Sequence, residues 1–299
     1  MGLVDPALEY FVAVYETGSV NGAARRLFIA GSAISRQLAR LERELDTALF
    51  ERLPTGLKAT AAGNAFAAYA RRTIAEAAEI ASELRAGEAS SIVSIAGSEG
   101  TVHELLPAVA ARASLRYPKL RIRLRRATAS AVSEMVRDGV VDLGVTFNLS
   151  LAAGVQVRHA FGAPVHALLR PGHPLAGKAG LSFQELSAFP LVLSPQGATS
   201  RALVDAFAAR IETSIDPVFE TDDTAATIRF VTATDAVALL SRVSLGALDA
   251  AAVATVPMRE PEFQARSIQV QIPVGRALHP AAEVLAGLVV ETLEQASGA

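Results

Sequence analysis

The stretch Ser19-Val20-Asn21-Gly22-Ala23-Ala24-Arg25-Arg26-Leu27-Phe28-Ile29-Ala30-Gly31-Ser32-Ala33-Ile34-Ser35-Arg36-Gln37-Leu38-Ala39-Arg40-Leu41-Glu42 decides how this chain begins to fold. Ser19 stands where a helix wants its N-cap, ahead of Ala23, Ala24 and Leu27. Two small residues in that run let another helix approach closely. A break at Ala30-Gly31 precedes a second start, with Ser32 as the expected cap and Ile34, Leu38, Leu41 and Leu45 as one apolar stripe at helical spacing. The other face of that helix carries Ser35, Arg36, Gln37, Arg40 and Arg43. Upstream, Asp5 before Pro6 marks a helix start, and Leu8, Phe11, Val12 and Tyr15 share one face until Gly18. Downstream, Phe50-Glu51-Arg52-Leu53 and Thr55-Gly56-Leu57-Lys58 read as a hairpin around Pro54 and Gly56. Three short helices and a hairpin describe a winged helix-turn-helix.

The third helix suits DNA. Phosphates are held by Arg, Lys, hydroxyls and helix N-termini, whereas base edges are read by side chains at the start of a recognition helix. Periodicity alone leaves the plainer reading open, an ordinary helical subdomain with solvated charges: residues 1–60 carry seven Lys and Arg against seven Asp and Glu.

The whole chain has 299 residues, 51% hydrophobic and 19% charged, enough for roughly two domains. Its net charge of −2 excludes a polybasic nucleic-acid coat but not a small basic face. With no cysteine, disulfides, thiolate catalysis and Cys-type zinc sites are excluded together. Aromatics are 5% and Trp is absent, which favours helices packed on sheets over an all-β sandwich. Met1-Gly2-Leu3-Val4-Asp5-Pro6 has no basic leader followed by an apolar run, and no segment reaches the ~18 apolar residues of a membrane span. The expectation is a cytoplasmic protein that neither enters nor crosses a membrane.

Beyond the hairpin, residues 61–87 are Ala-rich, and Gly87-Glu88-Ala89-Ser90-Ser91 reads as a short polar linker. Phe66, Ala70, Thr73, Ala77, Ile80 and Leu84 form a seam at about 3.5-residue spacing, as in a pair of close-packed helices. From Ile92 onward, short β-branched runs alternate with helical periods: strands at Ile92–Ala96, Leu120–Leu124 and Val140–Val145, then Val165–Leu169, Leu191–Leu193, Pro217–Glu220, Val237–Leu240 and Val253–Pro257. Phe263–Ile272 returns the chain, and a last helix starts at Pro280. Alternation predicts mostly parallel sheets with helices on both faces. Two such halves joined by two crossings resemble the periplasmic-binding-protein type of fold.

The N-terminal motifs carry a more specific likeness. Phe11-Val12-Ala13-Val14-Tyr15-Glu16-Thr17-Gly18-Ser19-Val20, Ala23-Ala24-Arg25-Arg26-Leu27, Ala33 to Glu42, Leu45 and Leu49-Phe50-Glu51-Arg52 resemble, in register, the N-terminal signature of LysR-type transcriptional regulators. Leu105-Leu106-Pro107, Tyr117-Pro118, Gly139 to Val145 and Gly172-His173-Pro174-Leu175-Ala176 sit where that family's effector domain has similar runs. There are departures. Gly31 stands where the family commonly has Gln or another polar residue, Ala61-Ala62-Gly63 replaces a common Pro-Ala-Gly, and Ala233-Thr234-Asp235 replaces a glycine-containing run.

The resemblance implies a multidomain chain: an α winged helix-turn-helix over 1–60, a long linker and dimerisation helix with hinge over 61–90, then an α/β periplasmic-binding-protein-like (type 2) effector domain over 91–299. Its two subdomains would cover about 91–162 with 267–299, and about 163–266. It implies a homo-oligomer, a dimer of dimers, on pseudo-palindromic double-stranded DNA. Ser32, Ser35 and Arg36 are the expected base readers, with Gln37, Arg40, Arg52 and Thr60 toward the phosphates. Ligands of such sheets bind outside the carboxyl ends of the strands, near helix N-termini. That rule puts Ser98, Glu99, Gly100, Thr101, Thr128, Thr146 and Phe147 on one wall and Thr199, Ser200, Arg201, Asp222 and Thr224 on the other, with Asn148 and Gln196 beside them. Arg201 offers a cation to a small organic acid or amino-acid-like effector, while Glu99 and Asp222 oppose an anion. Ser130 reads better as a helix cap.

Two other readings stay in view. An α/β enzyme lacks support: there is no Gly-x-Ser-x-Gly elbow, no Walker loop and no Gly-x-Gly-x-x-Gly. The five histidines show no helical ligand pair, so neither cofactor nor metal is expected. An effector-independent regulator would need the cleft filled by side chains. The acid-free run Arg112, Arg116, Lys119, Arg121, Arg123, Arg125 and Arg126 reads as a solvated face or subunit contact ahead of a second nucleic-acid patch.

Overall fold

A computed structural model describes residues 4–54, 56–86, 92–246, 249, 252–275 and 277–297. Along the long fourth helix the described side chains run to Ile74 and include Ala77, so Ile80 and Leu84 of the expected seam lie outside them, as does the linker 87–91. The chain divides into two compact units, the first of residues 1–91 with 137–140, the second of residues 92–136 with 141–299.

In the first unit, α1 (Pro6–Thr17) is capped by Asp5, whose carboxylate accepts from Ala7 N at 2.9 Å, and it ends on Gly18 in the left-handed region (φ 64°). α2 (Val20–Leu27) is capped by Ser19, which accepts from Gly22 N at 3.0 Å. α3 (Gly31–Glu44) starts one residue earlier than Ser32 would allow. Its N-cap is Ala30, with no side-chain bond, so Ser32 lies inside the first turn and is not a cap. β1 (Phe50–Leu53) and β2 (Gly56–Ala59) pair antiparallel, and α4 (Ala61–Ala86) follows, with Gly63 N donating to Thr60 Oγ1 at 2.9 Å.

The core of this unit gathers Leu8, Phe11, Val14, Ala23, Ile34, Leu38, Leu41 and Leu49. Phe11 sits centrally, its ring centroid 5.0 Å from that of Phe50 in a tilted pair and 4.8 Å from that of Phe66 edge-to-face. Ala67 and Ala70 are buried in the same cluster. This corrects the expected seam. Phe66 and Ala70 are consumed by the chain's own core, because the first turns of α4 must cover Phe11. Among the described side chains only Thr73 and Ala77 of the seam lie past that contact.

The second unit holds two five-stranded sheets. The first has the order β4 (Arg121–Arg126), β3 (Ile92–Gly97), β5 (Leu143–Asn148), β12 (Ser267–Ile272), β6 (Gln156–Gly162). The second has the order β11 (Ala254–Pro257), β7 (Val165–Leu169), β10 (Val237–Ser241), β8 (Leu191–Leu193), β9 (Phe219–Glu220). Both are mixed rather than mostly parallel. β3 is parallel to β4 and β5, but β12 is antiparallel to β5 and β6. In the second sheet β8 is parallel to β9 and β10, but β7 is antiparallel to β10 and β11. The returning strand β12 and the unforeseen β6 account for the difference in the first sheet. β6 is an edge strand exposed along most of its length, so it shows no apolar alternation.

Helices cover both faces of each sheet. α6 (Leu105–Arg116) and α12 (Pro280–Ser297) bury Leu106, Val109, Leu285 and Val289 on one face of the first sheet, and α7 (Ala129–Arg137) puts Val132 and Val136 on the other. A short α5 (Glu99–Val102) precedes α6. On the second sheet, α8 (Phe183–Leu186), α9 (Thr199–Arg210) and α11 (Pro261–Gln264) bring Phe183, Phe207 and Phe263 together, while α10 (Thr224–Ala233) covers the opposite face with Ile228 and Val231. The chain passes between the sheets at 162–165 and at 264–267, where Ala163 N donates to Arg266 O at 2.9 Å.

Candidate functional site

On the first unit, α3 exposes Ser32, Ser35 and Arg36 together near its N-terminal end. Their side chains are free to enter a groove because Ile34, Leu38 and Leu41 anchor the opposite stripe. Arg52 is exposed on β1. Two expected phosphate ligands are otherwise engaged, and a third is half-buried. Arg40 is held by Asp5 and by Glu44, its neighbour one turn on. Thr60 Oγ1 contacts Ala48 O at 2.8 Å and accepts from Gly63 N, so it works as a cap. Gln37 is half-buried, and its Oε1 finds no hydrogen-bond partner among the described residues. Ala7 N, with Arg40 beside it, holds the Asp5 carboxyl below the usual range. Arg25 on α2 is exposed; its neighbour Arg26 pairs with Glu16.

In the second unit a cavity of about 340 Å³ opens between the two sheets. Of the residues expected there, Ser98, Glu99, Gly100, Thr128 and Phe147 line it from the first sheet, and Thr199, Ser200, Asp222 and Thr224 from the second. Gln196 lines it as well. Gly100 is needed for the close approach: a Cβ there would lie 2.3 Å from Ser244 Oγ and 2.9 Å from the Phe147 ring. Ser98 Oγ accepts from Phe147 N at 3.3 Å, which leaves its proton for a ligand.

Three expected residues do not reach the cavity. Thr101 turns inward beneath its loop, its hydroxyl bound to Ser98 O at 2.8 Å and Val145 O at 3.0 Å. Thr146 is buried between Val145 and Phe147 on β5, so its side chain takes the opposite face of the sheet from the cavity-lining Phe147. Its hydroxyl has no partner among the described residues. Arg201 is spent on Asp205 and Glu220, each at 2.7 Å.

The cations at the cavity are others. Arg126, at the end of β4, donates to Glu99 at 2.7 Å and lies 3.5 Å from Asp222. Glu99 reaches across to accept from Thr224 N at 3.0 Å. The two acids thus share one cation, and Glu99 is further held by a backbone N–H. Deeper in, Arg266 is only 4% exposed; its guanidinium lies 4.3 Å over the Phe147 ring and its Nε donates to Ala163 O at 3.3 Å. Burial alone pushes it down to about 10, so it is charged at neutral pH. A lone arginine at the point where the return stretch re-enters the first sheet was the available sequence signal for it.

Two family models match the chain: the bacterial regulatory helix-turn-helix protein of the lysR family over residues 6–64 and the LysR substrate binding domain over residues 86–294. The chain belongs to the LysR family. Among curated LysR-family relatives, a "Probable nitrogen assimilation transcriptional activator" of Synechococcus elongatus is 32% identical over 66% of this chain and 65% of its own length. The regulator AlsR of Bacillus subtilis is 28% identical over 62% of each chain. The chain thus spans less than two thirds of the length of these two relatives. YybE of Bacillus subtilis, an uncharacterized HTH-type transcriptional regulator, is 24% identical over 95% of this chain and 97% of its own. Among solved structures, a full-length OxyR variant from Pseudomonas aeruginosa shares the fold with a TM-score of 0.66 at 19% identity, covering 97% of this chain and 95% of its own. Full-length CbnR complexed with its target DNA gives 0.58 at 21% identity, over 96% and 98%. These relatives are named as regulators, not enzymes. No helix among the described residues is long and apolar enough to cross a membrane, and none of their His, Asp and Glu clusters could hold a metal.

Proposed function

We propose that this LysR-family chain is a sequence-specific transcriptional regulator that binds double-stranded DNA and responds to a small molecule held between its two α/β sheets. Residues 1–60 form the reader, 61–90 the linker and dimerisation helix, and 91–299 the effector domain. The observation that carries the reading is the exposed set Ser32, Ser35 and Arg36 at the start of α3, on a helix whose other face is locked into the core. Arg52 and Arg25 supply phosphate contacts at its flanks. Arg40 is held on α3 by Asp5 and Glu44 and Thr60 caps α4, while Gln37 remains a phosphate-contact candidate. The protein works in the cytoplasm as a homo-oligomer, a dimer of dimers, and reads pseudo-palindromic sites because two-fold protein symmetry is copied into the operator.

The cavity of about 340 Å³ favours an effector-dependent regulator over one whose cleft is filled. The effector is a small organic acid or amino-acid-like compound. It acts by binding one arrangement of the subunits better than another, which sets the spacing of the paired readers. Footprinting of the region upstream of the chain's own gene tests the DNA half of this reading. A metabolite screen by thermal shift tests the effector half.

A further inference from the structure

We infer that the cleft takes a monocarboxylate with an apolar body, its carboxylate seated on Arg266 beside the first turn of α9. This rests on the reading of the cleft as an effector site and narrows the ligand class within it.

Arg266 is the built part of the site. It is nine-tenths buried or more, borders the cavity, and is fixed from two sides by the Phe147 ring and Ala163 O. Among the described residues no carboxylate pairs with it. A buried guanidinium without a counter-ion is costly, and an incoming carboxylate can take two of its N–H groups in parallel. The twelve-residue helix α9 starts at the same cavity on Ala198, with no side-chain cap, so its first N–H groups add to the positive end.

The pairing at the wall disfavours the neighbouring ligand classes. Glu99 is matched by Arg126 and Thr224 N, Asp222 by Arg126, and Asp223 accepts from Ala226 N at 2.9 Å. An ammonium would have to draw Glu99 or Asp222 from Arg126, or Asp223 from its helix cap, which disfavours an amino acid. No second cation is left for a dicarboxylate, since Arg126 is already shared. The remaining wall includes Ala127, Phe147, Pro195, Ala198 and Leu240, which suits an aliphatic or aromatic body.

Calorimetric titration of the full-length protein tests this with hexanoate, benzoate and phenylacetate against benzamide, phenylalanine and succinate. At least one monocarboxylate is expected to bind wild type, and to bind about tenfold or more tighter than the uncharged and doubly charged comparators, in line with a charge-assisted pair. Arg266→Gln is expected to lower that affinity about tenfold and Arg266→Lys to restore part of it. Circular dichroism on both variants verifies folding, and the wild-type comparison of benzoate with benzamide stands even if neither variant folds. Equal binding of acid and amide, tighter binding of phenylalanine or succinate, unchanged affinity in folded Arg266→Gln, or no binding by any of the three acids at millimolar concentration overturns the proposal. The cavity-filling variant Ala198→Phe separates the two levels. If it abolishes binding of phenylalanine or benzamide while the acids do not bind, the cleft stands and the carboxylate assignment falls. If all binding survives it, the cleft reading itself falls.

Discussion

Ala163 and Arg266 hold each other at two points: Ala163 N donates to Arg266 O at 2.9 Å, and Arg266 Nε donates to Ala163 O at 3.3 Å. The pair lies where the chain crosses between the sheets, 103 residues apart in sequence. The group that faces the cavity is therefore the group that ties the two crossings.

Ala163→Pro removes the first of these bonds while Ala163 is fully buried. A loss of about 1–3 kcal/mol in unfolding free energy is expected. Urea denaturation followed by circular dichroism checks it; a variant as stable as wild type shows that the crossing does not depend on the pair.

The two buried threonines near the cleft give opposite results. Thr101→Val deletes a hydroxyl bound to Val145 O and is expected to cost about 1–2 kcal/mol. Thr146→Val deletes a hydroxyl with no partner among the described residues and is expected to be neutral or stabilising by up to about 1 kcal/mol. Paired thermal melts compare them, and a larger loss at Thr146 contradicts the assignment of their roles.

The first helix links stability to pH through Asp5. Its folded carboxyl lies below the usual range, chiefly because Ala7 N donates to it, with Arg40 adding. A group of this kind contributes stability above its unfolded pKa of about 3.9 and loses it as the pH falls through the lower folded value. Asp5→Ala is expected to destabilise by about 1 kcal/mol at neutral pH, the usual cost of a lost N-cap. The gap between wild type and Asp5→Ala should hold from neutral pH to about 4 and narrow below it. Melts across that range read it directly; a gap that widens on acidification has the wrong sign.

DNA contacts separate by kind. Arg36→Ala is expected to cost about 1–3 kcal/mol at one base position and to relax selectivity there. Arg52→Ala should weaken all sequences alike and lower the salt slope by about 1. Arg40→Gln should change DNA affinity far less than Arg52→Ala, because Asp5 and Glu44 already hold that side chain. Fluorescence anisotropy on specific and scrambled duplexes at several salt concentrations sorts the three.

What the sequence made legible was mostly local. The caps Asp5 and Ser19, the stripe Ile34, Leu38 and Leu41 and the hairpin at 50–59 follow from short-range rules, and the structure has each. The cleft walls followed from a topological rule, so loops such as 98–100 and 199–200 were found without any contact being known. The misses came where tertiary packing decides. Ser32 gave up its cap because α3 begins at Gly31. Thr101 and Thr146 sit beside true lining residues, but the direction of a side chain at a strand end is set by the sheet it belongs to. Arg201 reads as the cleft cation because it stands in the first turn of α9. Two carboxylates claim it instead, and Arg266 arrives from the return crossing, where a lone arginine before β12 is the only sequence signal.

The most direct test of the central claim is a footprint of the purified full-length protein on the DNA upstream of its own gene. Two protected half-sites related by a two-fold axis, spaced by about 10 base pairs or a multiple, and lost in Arg36→Ala, are the predicted result. Absence of protection down to low ionic strength, where phosphate contacts are strongest, would contradict it.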